Sequence, residues 1–151
     1  MTGPRIKPTT VVTRTPAGTA RAGALIGRRM APGGVVGLVG DLGAGKTVIA
    51  GGIFRGAGLP PGVVVASPTF TLVNSYPGPV ERVHVDLYRL ESAREAEDAG
   101  IVELVEARAG RIVVVEWFEK FPELWPSSFV RVDISIVDAK RRMLRVLEVR
   151  A

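Results

Sequence analysis

The chain has 151 residues, 46% of them hydrophobic and 23% charged, with a formal net charge of +5 and no cysteine. A chain of that length buries a real core in one domain, and the balance is neither that of a disordered protein nor that of a fibrous one. The lack of cysteine excludes disulfides and thiolate metal sites. No stretch approaches the roughly twenty apolar residues of a membrane span, and the N-terminal MTGPRIKPTTVVTRTPAG lacks the apolar run of a signal peptide. A single soluble, cytoplasmic domain over residues 1–151, with no membrane partner, is therefore expected.

In chain order, the β-branched Thr10-Val11-Val12-Thr13 predicts a short strand, and Thr15-Pro16 a helix cap with proline in the first turn. A helix over Ala20–Arg29 follows, weakened in propensity by Gly18, Gly23 and Gly27 and ended by Pro32-Gly33-Gly34. Val35–Val39 is apolar without alternation, the mark of a parallel strand buried on both faces. A glycine-rich turn then leads into a predicted helix over Thr47–Arg55 and a loop over Gly56–Gly62. Further strands are predicted at Phe70–Asn74, Arg82–Asp86, Ile112–Val115, Phe129–Val137 and Met143–Val149, with Glu91–Glu106 helical. Strands and helices alternate at first and strands dominate later, which implies an α/β sandwich with an antiparallel extension at its edge.

The charges are segregated. Before Gly40 every ionisable side chain is basic (Arg5, Lys7, Arg14, Arg21, Arg28, Arg29), most carboxylates fall between Glu81 and Glu123, and Lys140, Arg141, Arg142, Arg145 and Arg150 make the end basic again. Such clusters suit RNA phosphates or an acidic protein, and equally a solvated face.

Gly40-Asp41-Leu42-Gly43-Ala44-Gly45-Lys46-Thr47 satisfies G-x-x-x-x-G-K-[ST] at every fixed position, between an apolar strand and a helix. In that setting glycines let the backbone wrap phosphate oxygens, and the N–H groups of residues 43–47 face an anion at a helix start. Lys46 is then the β- and γ-phosphate contact and Thr47 a Mg²⁺ ligand. Ile112–Val115 followed by Glu116 reads as the second element of such a site, a buried strand that ends in a carboxylate for the metal or its water.

In Val83-His84-Val85-Asp86-Leu87-Tyr88 alternation sets His84, Asp86 and Tyr88 on one face. Asp86 is a candidate to orient or deprotonate an attacking water, and His84 is expected to support it. The hydroxyls of Ser67-Pro68-Thr69-Phe70-Thr71 suit a loop that senses nucleotide state. Trp125 reads as packing, whereas Trp117, next to Glu116, reads either as packing or as a neighbour of the nucleotide.

The order GDLGAGKT, SPTFTLVNSY, HVDLYRL, a helix with Glu95, Glu97 and Gly100, then VVVEW resembles the TsaE family, the ATPase component of tRNA threonylcarbamoyladenosine synthesis. The resemblance runs from about Gly40 to Trp117 and more loosely to both ends. It implies a three-layer P-loop NTPase-like sandwich with a mostly parallel sheet, and ATP hydrolysis with Mg²⁺ between Thr47 and Glu116. It further implies Lys46 and Asp86 as catalytic residues, and nucleotide contacts from Asp41, Leu42, Gly43, Ala44, Gly45, Lys46 and Thr47, with Glu119 and Lys140 carried over from looser matches. The implied partners are the TsaB and TsaD proteins, with TsaD transferring the threonylcarbamoyl group and tRNA reached through the complex. The family often has a second threonine where this chain has Val48, and FEKFPELWP matches its pattern only loosely.

Two other readings share the phosphate cradle. A small-molecule kinase needs an acceptor site and an arginine-rich lid, for which Arg108 and Arg111 are sparse; a nucleotide-dependent binding module needs little turnover. A GTPase is disfavoured, because the chain has no Asn-Lys-x-Asp segment.

Overall fold

The structure is a computed structural model that describes residues 8–106 and 110–150; Arg5, Lys7 and Arg108 lie outside them. Among the described residues the strands are β1 Thr9–Thr13, β2 Val35–Val39, β3 Val73–Tyr76, β4 Glu81–Asp86, β5 Arg111–Glu116, β6 Phe129–Ile136 and β7 Arg142–Val149. The helices are α1 Pro16–Arg29, α2 Lys46–Gly56, α3 Ala93–Asp98 and α4 Ile101–Glu106. One sheet runs in the order β1-β7-β6-β2-β5-β4-β3. Its centre, β6-β2-β5-β4, is parallel. Antiparallel strands extend both edges, β7 and β1 beyond β6 and β3 beyond β4. The α/β sandwich with a parallel centre is thus the architecture expected, and the antiparallel extension occurs on two sides.

Alternation along the central strands distributes their side chains between two cores. Val36, Leu38, Val114 and Val132 pack with Ile49, Ile53 and Phe54 of α2 on one face. Val35, Val83, Val85, Val113 and Val115 pack with Ala96, Ile101, Val105 and Phe118 on the other. The even-numbered residues of β4 and β5 therefore share a face with α2, and this fixes where the polar residues at the strand ends emerge.

The glycines that weaken α1 on propensity are there for packing. A Cβ on Gly23 or Gly27 would collide with the carbonyl oxygens of Ile49 or Ile53, and one on Gly52 or Gly56 with those of Ala20 or Ala24. Helices α1 and α2 thus meet backbone to backbone, each supplying two of the four contact positions. Thr15 caps α1 as expected, its hydroxyl accepting from the Gly18 N–H at 2.9 Å. The helix begins at Pro16, a turn earlier than Ala20.

Two expectations are corrected. The helical stretch over Glu91–Glu106 is two six-residue helices, because Gly100 adopts φ +80 between them; Ser92 starts the first by accepting from the Glu95 N–H. The strand expected at Phe70–Asn74 begins only at Val73. Residues 68–72 form a turn in which the Leu72 N–H reaches the Pro68 carbonyl at 2.6 Å and Leu72 takes φ +70. Hydroxyl bonds from Ser67 and Thr69 hold the chain there and displace ladder pairing, the competition these residues offer wherever a side-chain acceptor is close. No helix among the described residues is long and apolar enough to cross a membrane.

Candidate active site

Strand β2 ends at Val39, and the chain from Gly40 turns back into α2. Gly43 at φ +79 and Gly45 at φ +108 make that turn, and the Ile49 N–H opens the helix by donating to the Gly45 carbonyl at 3.0 Å. Asp41, Leu42 and Gly43 are exposed, whereas Ala44 and Lys46 are buried. Lys46 Nζ donates to the Gly40 carbonyl and, at 2.9 Å, to that of Asp41. It also lies 4.1 Å from the centroid of the Trp117 ring, over its face. Burial lowers the Lys46 pKa, and the carboxylates of Glu116, Glu119, Asp86 and Asp41 oppose that shift by favouring its charge.

From the far end of the chain, Arg142 opens β7 and donates to the Ala44 carbonyl at 3.0 Å and to that of Gly43 at 3.4 Å. This guanidinium braces the glycine turn. In the sequence it is one basic residue in a basic cluster, with nothing to mark that role. Lys140, two positions earlier, is exposed on the β6–β7 turn, where its backbone N–H donates to Asp138. The Arg141 N–H, the Arg141 side chain and then the Lys140 N–H lower the Asp138 pKa to about 2.

Parallel pairing sets Asp86 opposite Glu116 at the ends of β4 and β5, on the face that α2 covers. Both carboxylates are 3% exposed. The Thr47 hydroxyl lies 3.3 and 3.4 Å from the two oxygens of Glu116, long for hydrogen bonds. A hydroxyl and a buried carboxylate at the mouth of a glycine turn are hard oxygen donors suited to a small divalent cation. Among the described residues no three His, Cys, Asp or Glu side chains form a metal cluster, so a cation held by Thr47 and Glu116 would need further ligands from outside this set.

Asp86 is held from three directions. Ser67 Oγ and Thr69 Oγ1 lie 3.2 and 3.0 Å from its Oδ2, and the Tyr88 N–H donates to Oδ1 at 2.8 Å. The hydroxyl-rich segment therefore belongs to the site. The expectation that His84 supports Asp86, drawn from their shared face, is corrected: the ring engages Glu116 instead. Its Nε2 is 2.6 Å from Oε2 of Glu116, one strand across, and the ring meets Phe54 edge-on.

Past Glu116, Trp117 adopts φ +59 and lies against Tyr88, with ring centroids 5.1 Å apart. Lys120 ties the same two segments by donating to the Tyr88 and Leu90 carbonyls. Glu119, in the 3-10 turn Phe118–Lys120, carries a buried Oε2 with no hydrogen-bond partner among the described residues. Desolvation raises its pKa, while its own backbone and nearby Lys46 and Arg131 pull the other way. Trp125 is packing, as read: it stacks on Phe118 at 4.6 Å and donates from Nε1 to the Phe118 carbonyl.

Residues 13–144 match the family profile described as threonylcarbamoyl adenosine biosynthesis protein TsaE. The TsaE protein of Treponema pallidum is 35% identical over 135 residues, covering 89% of this chain and 97% of its own length. That of Nostoc sp. is 37% identical over 132 residues, covering 85% and 78%. Among solved structures, Bacillus subtilis YdiB superposes with a TM-score of 0.78 at 26% identity, over 97% of this chain and 89% of that one. With its motifs meeting at one end of the sheet and similarity over most of its length, the chain belongs to the TsaE family of tRNA threonylcarbamoyladenosine biosynthesis.

Proposed function

We propose that this protein is a Mg²⁺-dependent ATPase that supports threonylcarbamoyl modification of adenosine in tRNA, acting with the TsaB and TsaD proteins. The observation that carries the reading is the convergence of Lys46, Thr47, Asp86 and Glu116 on one end of the sheet, within reach of the 40–47 turn. The N–H groups of residues 43–47 cradle the phosphates, and Lys46 leaves the Gly40 and Asp41 carbonyls for the β- and γ-phosphate oxygens. Thr47 and Glu116 hold Mg²⁺, which when bound screens the phosphate charge. Asp86 orients a water for attack on the γ-phosphorus, the bond to the β-phosphate oxygen breaks, and ADP and phosphate leave. The buried, unpartnered Oε2 of Glu119 is suited to accept a hydrogen bond from the nucleotide. Lys140 reaches the nucleotide only if the β6–β7 turn brings its exposed side chain inward.

A second reading, a nucleotide-dependent binding module with little turnover of its own, draws on the state of Asp86. The Tyr88 N–H and the mutually bonded Ser67 and Thr69 hydroxyls crowd its two oxygens, so a water gains full access to Oδ2 when Ser67 or Thr69 gives way. A partner that moves the 66–72 loop would supply that step, and slow turnover by the isolated chain is expected.

The test is ATP turnover by the purified chain with Mg²⁺, alone and with the TsaB and TsaD proteins, with Glu116→Ala as control. Stimulation by the partners that the control loses supports the ATPase. Phosphate transfer to a small acceptor would instead make it a kinase, and nucleotide binding without turnover under any condition would favour the binding module.

A further inference from the structure

A buried carboxylate needs partners, since an isolated anion in a low-dielectric core is costly. Glu116 has two side-chain partners among the described residues, and they differ in kind. Thr47 approaches both oxygens at 3.3 and 3.4 Å, whereas His84 Nε2 approaches Oε2 alone at 2.6 Å. His84 is fully buried on the neighbouring strand, with Phe54 edge-on against its ring. It has no room to follow the carboxylate if that group turns. A carboxylate only accepts, so Nε2 carries the proton in this bond. Nδ1 has no partner among the described residues, and the tautomer that leaves it unprotonated avoids an orphaned N–H in the core.

We infer that His84 is a positioning residue for cation binding: its Nε2–H pins Oε2 of Glu116, which fixes the carboxylate plane and leaves Oε1 beside the Thr47 hydroxyl for the metal. This rests on the reading that Thr47 and Glu116 hold Mg²⁺. The arrangement is that of a metal ligand oriented by an outer hydrogen bond, here with the imidazole outside and the carboxylate inside. The motif histidine then serves the metal through β5 and has no part in aiming the water-orienting Asp86 beside it.

The chain has one histidine. Histidine labelled with ¹⁵N therefore reports on His84 alone, in the unmodified protein. An Nε2 proton protected from solvent is expected; it should hold its shift when the β,γ-imido analogue of ATP is added in EDTA and move when Mg²⁺ follows. A second arm compares affinity for that analogue with and without Mg²⁺ in three variants. Glu116→Gln should lose the Mg²⁺ preference. His84→Asn, whose amide stops one carbon short of the Nε2 position, should raise the Mg²⁺ concentration needed by about tenfold or more. His84→Gln places an amide nitrogen the same number of bonds from Cα and should restore most of it. The inference is overturned if a folded His84→Asn keeps the wild-type preference while Glu116→Gln loses it, or if the Nε2 proton ignores Mg²⁺. If Glu116→Gln keeps the preference, the Thr47–Glu116 reading itself fails and takes this one with it. Should His84→Asn not fold, the labelling arm decides alone.

Discussion

Two loops flank the site, and they are held in opposite ways. The 40–47 turn takes its shape from backbone, two glycines at positive φ and a helix start, and the Arg142 and Lys46 side chains donate to its carbonyls. The 66–72 loop is fixed by side chains. The Ser67 and Thr69 hydroxyls share their protons between each other and Asp86, Asn74 donates to the Ala66 carbonyl, and the Ala66 N–H donates to the Tyr76 hydroxyl. At its apex Phe70 is 85% exposed. A loop held by main-chain geometry keeps its shape whatever it binds, whereas one held by a few hydroxyls releases when a better partner arrives. The first is suited to receive phosphate and the second to respond to it.

The largest expected effect probes the group that anchors the movable loop. Asp86→Ala should lower ATP turnover by roughly two to four orders of magnitude and leave nucleotide affinity nearly unchanged, because the 40–47 turn does not depend on it. Loss of affinity as well would erase the distinction between the loops. Lys46→Ala should do the reverse, weakening nucleotide binding on the order of a hundredfold by removing a buried charged donor. Calorimetric titration with nucleotide checks both.

Thr69→Val sharpens the contrast. It deletes one of the two hydroxyls on Oδ2 and should raise amide exchange in residues 66–72 without raising it in 40–47. Turnover should change by roughly tenfold, the equivalent of one hydrogen bond to a charged group.

The smallest effect concerns Glu119, whose pKa is raised by desolvation despite Lys46 and Arg131 nearby and with Asp133 adding to the rise. A raised carboxyl pKa favours folding at low pH, and that contribution is lost as pH climbs through the folded-state value. Glu119→Gln should therefore be more stable than the parent chain at pH 7 without nucleotide, and the gain should vanish below the ordinary glutamate range. Thermal midpoints of both proteins at pH 7 and pH 4 test the sign.

What the sequence made legible follows the same division. The 40–47 turn could be read because its constraints lie in consecutive residues, a glycine where φ is positive and a lysine and threonine where the helix starts. The Val35–Val39 and Ile112–Val115 strands were readable because burial on both faces removes polar residues. Only residues 70–72 of the 66–72 loop read as strand, because the shape of the loop depends on an acceptor, Asp86, which is far along the chain. The partner of His84 was misassigned for a related reason: alternation gives the face, but the strand next door and its register decide which carboxylate the ring meets. Arg142 could not be singled out, since its role depends on β7 beginning beside a turn about a hundred residues earlier.

The backbone contact between α1 and α2 bears on how this protein could be made more robust. Replacing helical glycines with alanine is a standard stabilising change, worth about 1 kcal/mol where the position is open. Four helical glycines here, Gly23, Gly27, Gly52 and Gly56, close that route, because each would drive a methyl group into the opposite helix. Gly27→Ala should cost about 1–3 kcal/mol, as overpacking does. Gly51, next in line on α2, faces only Val65 at 3.6 Å, an ordinary contact, so Gly51→Ala should yield the full gain. Urea denaturation of the two variants would give shifts of opposite sign from changes that a propensity scale treats as equal, and a thermostabilising library for this fold should leave the first four positions alone.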